Sequence, residues 1–233
     1  MGLGELPART TMRAYYKLEN VNDSSGNSAT LTNIGSLTFA AAKFGNGLNT
    51  AGVSAKGLTR TTNILSASAV PNITVSFWFR LTNTANVGVA RRFFEIIGSN
   101  GSSSATYMAC YFGITLGVLR VGVNSQLTGV TCATVTSIEA ANTTKWYHAV
   151  VVKSETTTLS LYINGKLVNS ATGTGTDTAT GTTGTYKMIV GNAYTLTYPS
   201  YGVTDEMIIE ERVWSASEVR KYYNQAKGRT SPR

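Results

Sequence analysis

Residues 73–81 read ITVSFWFRL, and this alternation constrains the fold more than any other feature of the chain. Successive Cβ atoms of a strand point to opposite faces, so Ile73, Val75, Phe77 and Phe79 line one side and Thr74, Ser76, Trp78 and Arg80 the other. Further strand-like runs occupy 15–18, 93–97, 107–114, 118–123, 146–153, 159–163 and 187–190. Turn chemistry separates them: Asn22-Asp23-Ser24-Ser25-Gly26-Asn27 and Lys43-Phe44-Gly45-Asn46-Gly47-Leu48 are dense in turn residues, and Asn164-Gly165 is the strongest hairpin signal. The expected core is Ile73, Val75, Phe77, Phe79, Ala149, Val151, Leu161 and Ile163.

One helix is expected. Ser215-Ala216-Ser217-Glu218 is a capping box, followed by Val219, Tyr222 and Tyr223 at helical spacing. Many short strands and one terminal helix give an all-β fold, a two-sheet antiparallel sandwich with a short C-terminal helix. Residues 171–185, ATGTGTDTATGTTGT, lack an apolar period and read as a mobile or edge-lying loop within the domain. The domain is expected over 13–225, with a polar arm at 1–12 and a basic tail at 226–233.

Charge and reactive side chains narrow the function. Only 14% of residues are charged, which leaves the surface to Thr, Ser, Asn and Gly, as suits solvated strands and turns. The formal net charge of +8 comes from cations scattered singly, except Arg220, Lys221, Lys227, Arg229 and Arg233 near the end. Nucleic acid needs a contiguous basic face, so an acidic glycan or another anionic partner fits better. Two cysteines, Cys110 and Cys132, are too few for a disulfide framework; Cys110 shares a strand face with Met108, Phe112 and Ile114 and reads as a buried thiol. The single histidine, His148, leaves one possible base for a triad and reads as a buried strand residue. No apolar run approaches the roughly 20 residues that span a bilayer. The first residues, MGLGELPARTTMR, lack signal-peptide character. The expectation is an extracellular or virion-surface protein, either trimmed or exported outside the general secretion route.

The succession YYKLENVNDSSGN, KFGNGL, VSFWFRL, WYHAVVVK, LSLYINGKLV, IVGNA and GVTDEMIIEERVWSASEVRKYY resembles the laminin-G-like, pentraxin-like branch of the concanavalin A-like lectin/glucanase superfamily over about residues 13–225. The resemblance implies a jelly roll that recognises glycans or proteins. It also implies a structural calcium tying the N-terminal strand to the last one, with matching positions Glu19 or Asp23, the Gly47 carbonyl, and Asp205. The alternative reading gives Asp23 an Asx-turn and Asp205 a strand-end hydrogen bond.

The glycanases in this superfamily carry Glu-x-Asp-x-x-Glu on one strand, and this chain has no such motif. Glu206 and Glu210 share a strand face but sit about 13 Å apart at ~3.3 Å per residue, beyond the geometry of either glycosidase class, and read as a solvated edge. The chain is therefore expected not to be an enzyme. Asn192, Tyr194, Tyr198 and Tyr201 are the candidate ligand residues, since rings stack on sugar faces and polar groups bond hydroxyls; a protein interface, or rings folded over the sandwich edge, fits them as well. Two functions follow: a non-catalytic carbohydrate-binding or adhesion module, and a structural or decoration protein of a virus particle or other assembly that docks on neighbouring subunits through its arm and tail.

Overall fold

The computed structural model describes residues 10–65, 72–98, 106–127, 130–154, 158–173 and 186–229. Fifteen strands in this region form two antiparallel sheets, and a single helix packs on one of them. The eight-stranded sheet contains β1 (Met12–Tyr16), β3 (Thr38–Ala41), β4 (Asn46–Asn49), β6 (Ile73–Leu81), β11 (Tyr147–Ser154), β12 (Thr158–Ile163), β13 (Lys166–Thr172) and β15 (Gly202–Glu210). Its order is β13-β12-β11-β6-β15-β4-β3, with β1 also pairing β15. The seven-stranded sheet, in order β10-β9-β8-β7-β14-β5-β2, consists of β2 (Thr32–Ile34), β5 (Gly57–Arg60), β7 (Val87–Ile97), β8 (Thr106–Thr115), β9 (Val118–Leu127), β10 (Val130–Ala140) and β14 (Lys187–Val190). This is the expected two-sheet jelly-roll sandwich.

All eight residues named as core from alternation lie in the cluster between the sheets. Phe79 meets Phe93 at a ring separation of 4.3 Å, and Phe93 meets Phe112 at 4.7 Å. Cys110 joins this core as a buried free thiol, whose pKa burial pushes up; the Cys132 side chain lies outside the described residues. Asn164 and Gly165 form the predicted hairpin turn with φ of 51° and 79°, the left-handed geometry that this pair tolerates.

The second face of β6 is buried as well. Trp78, Val150, Val152, Tyr162 and Ile208 form a second buried cluster beneath α1 (Ala216–Ala226), whose Val219, Tyr222 and Ala226 cover them. The predicted capping box starts this helix: Glu218 N donates to Ser215 Oγ at 3.2 Å, and Ser215 N donates to Glu218 Oε2 at 2.8 Å. The eight-stranded sheet is therefore buried on both sides over its centre.

The domain limits also shift. Met12 is buried and pairs with Glu210, and α1 runs through Ala226, with the Lys227 carbonyl accepting from Lys43 Nζ at 3.0 Å. The ends of the expected arm and tail, residues 1–9 and 230–233, lie outside the described residues, as do 174–185 of the Thr/Gly stretch. Short strands such as β2, β3 and β5 escaped sequence reading because three or four residues are too few to establish a period. Truncating Phe77 to Ala is expected to cost about 3–5 kcal/mol, read as a lower urea midpoint at unchanged slope; a loss below about 1 kcal/mol would show that the core lies elsewhere.

Candidate functional site

The segment 191–201 joins β14 to β15 at one end of the sandwich. Its shape depends on two buried polar side chains. Asn192 Oδ1 accepts from Ala193 N at 2.8 Å and from Tyr198 N at 2.9 Å, while Nδ2 donates to the Lys56 carbonyl at 2.8 Å. Asn192 is 0% exposed, so it shapes the loop and presents nothing to a ligand; this corrects its reading as a contact residue. Glu95 of β7 accepts from Tyr194 N at 2.7 Å and from Thr106 Oγ1 at 2.8 Å. Arg92 N donates to the Tyr198 carbonyl at 3.0 Å, fastening the loop to the same strand.

The three tyrosines come out differently. Tyr198 is 45% exposed, the most open aromatic ring among the described residues. Tyr201 is half-buried against the core, with the Arg91 guanidinium 4.9 Å from its ring centre. Tyr194 is also half-buried, with Lys187 Nζ at 6.0 Å from its ring. The loop therefore offers one open ring and two rings already bearing cations, a geometry that attracts polar and anionic groups.

Beside the loop, the outer face of the seven-stranded sheet holds residues that sequence reading missed. Arg92, Tyr111 and Gly122 stand opposite one another across β7, β8 and β9. A Cβ on Gly122 would meet the Tyr111 ring at 2.5 Å, so only glycine lets that ring lie down on the sheet. The Arg92 guanidinium then covers the ring at 4.8 Å. A glycine inside the strand-like run 118–123 was the available signal, since such glycines mark close approaches.

Glu206 and Glu210 are 1% and 0% exposed, which overturns their reading as a solvated edge. Tyr15 Oη donates to Glu206 at 2.6 Å; Thr11, Arg212 and Trp214 all donate to Glu210. His148 is equally buried, with Nε2 2.8 Å from Ser76 Oγ and its ring stacked between Trp78 and Tyr222.

The metal positions implied by the resemblance are gathered only in part. Asp23 accepts from Tyr15 N, Ser25 N, Ser25 Oγ and Ala29 N, which spends its carboxylate on its own turn. Asp205 accepts from Phe44 N at 2.8 Å with Oδ2, while its buried Oδ1 has no hydrogen-bond partner. A bulge places Glu206 and Met207 opposite Phe77 alone, with Glu206 at φ 51°, and so brings Asp205 and Glu206 to the same face. Burial pushes the Asp205 carboxyl up to about 8, and the neighbouring Glu206 and Glu19 charges act in the same direction. Gly47 lies where β4 runs against the Thr204 carbonyl. Among the described residues, no three His, Cys, Asp or Glu side chains are spaced to hold a metal ion.

A family model of the laminin-G type matches residues 49–220. The chain belongs to the concanavalin A-like lectin/glucanases superfamily. Solved structures share the superfamily's sandwich at low identity. The binding domain of Paraclostridial Mosquitocidal Protein 1 aligns with a TM-score of 0.65 at 14% identity, over 94% of this chain and 53% of that one. Domain 4 of AbnA, an extracellular arabinanase from Geobacillus stearothermophilus solved with arabinotriose, gives 0.63 at 17% identity, over 91% and 97%. The botulinum neurotoxin serotype D ligand-binding domain, solved with N-acetylneuraminic acid, gives 0.64 at 16% identity, over 92% and 51%. This chain thus spans about half the length of the toxin domains it matches. No curated protein sequence matches significantly. No helix among the described residues is long and apolar enough to cross a membrane.

The Asp205 carboxyl gives a pH prediction. Its native pKa of about 8 exceeds the ordinary 3.8, so the folded state holds a proton that the unfolded state releases. The resulting stability is present below about pH 4 and is lost as pH rises to about 8. In chelator, the melting temperature should therefore fall between pH 5 and pH 8, and Asp205→Asn should flatten that fall; parallel curves would refute the assignment.

Proposed function

We propose that this chain is a non-catalytic carbohydrate-binding or adhesion module whose ligand packs on Tyr198 and is flanked by Tyr194 and Tyr201. The observation that carries the reading is the open Tyr198 ring, held by Asn192 and Arg92 at the end of a rigid sandwich. A loop backbone fixed before binding loses little entropy on contact, which favours recognition of a weak, hydroxyl-rich ligand. The sandwiches solved with arabinotriose and with N-acetylneuraminic acid support a binding role for this fold. The burial and engagement of Glu206, Glu210 and His148 supports the absence of hydrolysis. Display on the surface of an assembly, a virus particle among them, with contacts through the arm and tail, is the finer part of this proposal; the weakly charged, Thr-rich composition supports it.

A structural calcium held by Glu19, Asp205 and the Gly47 carbonyl also belongs to the proposal. The buried Asp205 Oδ1 without a hydrogen-bond partner and the adjoining acidic charge support it. An ion bound only by the folded state stabilises it by mass action. Calcium is expected to raise the melting temperature of the parent and leave Asp205→Asn unchanged; no response in either would end the idea.

Retention on immobilised arabinan, β-glucan, galactan and sialylated glycans tests the main reading. Tyr198→Ala should weaken retention about tenfold, or roughly 1.4 kcal/mol, at an unchanged melting temperature, with no reducing ends released. Turnover abolished by Glu206→Gln or Glu210→Gln would overturn the non-catalytic reading, and failure to retain any glycan would overturn the binding one.

A further inference from the structure

We infer that the outer face of the seven-stranded sheet recognises a sugar residue bearing an acidic group, carboxylate or sulfate, through Arg92, Tyr111, Arg120 and Asn124. This rests on the carbohydrate-binding reading above and adds the class of ligand and the residues that select it. The register places the four together. Arg92 and Tyr111 are cross-strand partners, Arg120 pairs with Gly113 and Asn124 with Ala109, positions that flank Tyr111 along β8. The alternate residues Cys110, Phe112, Val121 and Val123 fill the core, so these four face outward. By strand spacing, Arg92 and Arg120 have Cα atoms about 12 Å apart, within reach of one or two sugar rings.

Three polar atoms on this face are buried without a hydrogen-bond partner: Nε of Arg92, Nε of Arg120 and Oδ1 of Asn124. Each buried polar atom left unsatisfied costs about 1–3 kcal/mol, and natural proteins tolerate few of them. These three lie on one sheet face, around the Tyr111 ring that Gly122 floors and Arg92 covers. The chemistry of the ligand follows from the groups. Guanidinium forks suit a planar acid and an amide oxygen accepts from a sugar hydroxyl, while the buried Tyr111 ring backs the Arg92 guanidinium from beneath.

Charge points the same way. Glu95 is the only carboxylate among the described residues facing outward from β7, β8 and β9, and its oxygens are taken by Thr106 Oγ1 and Tyr194 N, with Arg92 Nε at 3.9 Å. Glu139 on the neighbouring β10 is paired with Lys145. Arg91 and Lys187 add positive charge at the rim, on the Tyr201 and Tyr194 rings. The bond between Arg92 N and the Tyr198 carbonyl joins this face to the tyrosine loop, so one oligosaccharide can lie across both.

The test compares retention of the full chain on polygalacturonate, a sialylated oligosaccharide, dextran sulfate, neutral arabinan and single-stranded DNA. Acidic glycans should be retained at least about tenfold better than neutral arabinan, with the carboxylated and sulfated arms identifying the acid. Arg120→Gln and Asn124→Ala should each remove that preference at the parent's melting temperature; where Arg120→Gln lowers stability, Asn124→Ala and Arg120→Lys carry the measurement. Equal retention of arabinan and acidic glycans, unaffected by Arg120→Gln, would overturn this inference and leave the binding module standing. Retention of none of the glycans would overturn both, and DNA held as strongly as acidic glycans would reduce the face to a general polyanion surface.

Discussion

The packing of Phe77 and Phe79 from β6 against Phe93 and Phe112 of the opposite sheet is the contact on which the other layers depend. It sets the separation of the sheets and fixes the parity of β6, since a slip of one residue would exchange its two faces. Parity on β6 dictates parity on its neighbours β11 and β15, which pair with it directly. The same choice that sends Phe77 inward sends Trp78, Ser76 and Thr74 outward, and with them His148, Asp205 and Glu210 from the adjoining strands.

That outward face mixes polar groups with the apolar Trp78, Val150, Val152, Tyr162 and Ile208. Here α1 and the N-terminal strand close over it, so each polar group on it needs an internal partner. Most have one: Ser76 meets His148, Thr74 Oγ1 meets the Arg212 carbonyl, and Glu210 is bonded by Thr11, Arg212 and Trp214. Asp205 accepts from Phe44 N with one oxygen and sits beside Glu206 at the bulge, and burial raises its pKa. On the eight-stranded sheet these acids are buried and hydrogen-bonded.

The seven-stranded sheet turns Ala109, Tyr111, Gly113 and Gly122 to its outer face, where all four are buried. Arg92 and Arg120 on this face have no hydrogen-bond partner at Nε. The loop 191–201 borders this face because Glu95 and Arg92 of β7 bind its backbone. One sheet is covered by a helix and the other borders an aromatic loop, an arrangement that suits a binding module.

The sequence by itself determined the all-β class, the core residues of β6, β11 and β12, the Asn164-Gly165 hairpin and the capped helix. Each of these rests on periodicity or on local backbone chemistry within a few residues. It did not reveal that the polar face of β6 is buried, that Asn192 is internal, or that Asp205 and Glu206 share a face, because these depend on a helix and strands distant in the chain. Nor did it reveal the grouping of Arg92, Tyr111, Arg120 and Asn124, which lie on three strands and become neighbours only through register. Alternation tells which side of a strand a residue occupies; what lies across from it is decided by long-range pairing, whose signal is spread over the whole chain.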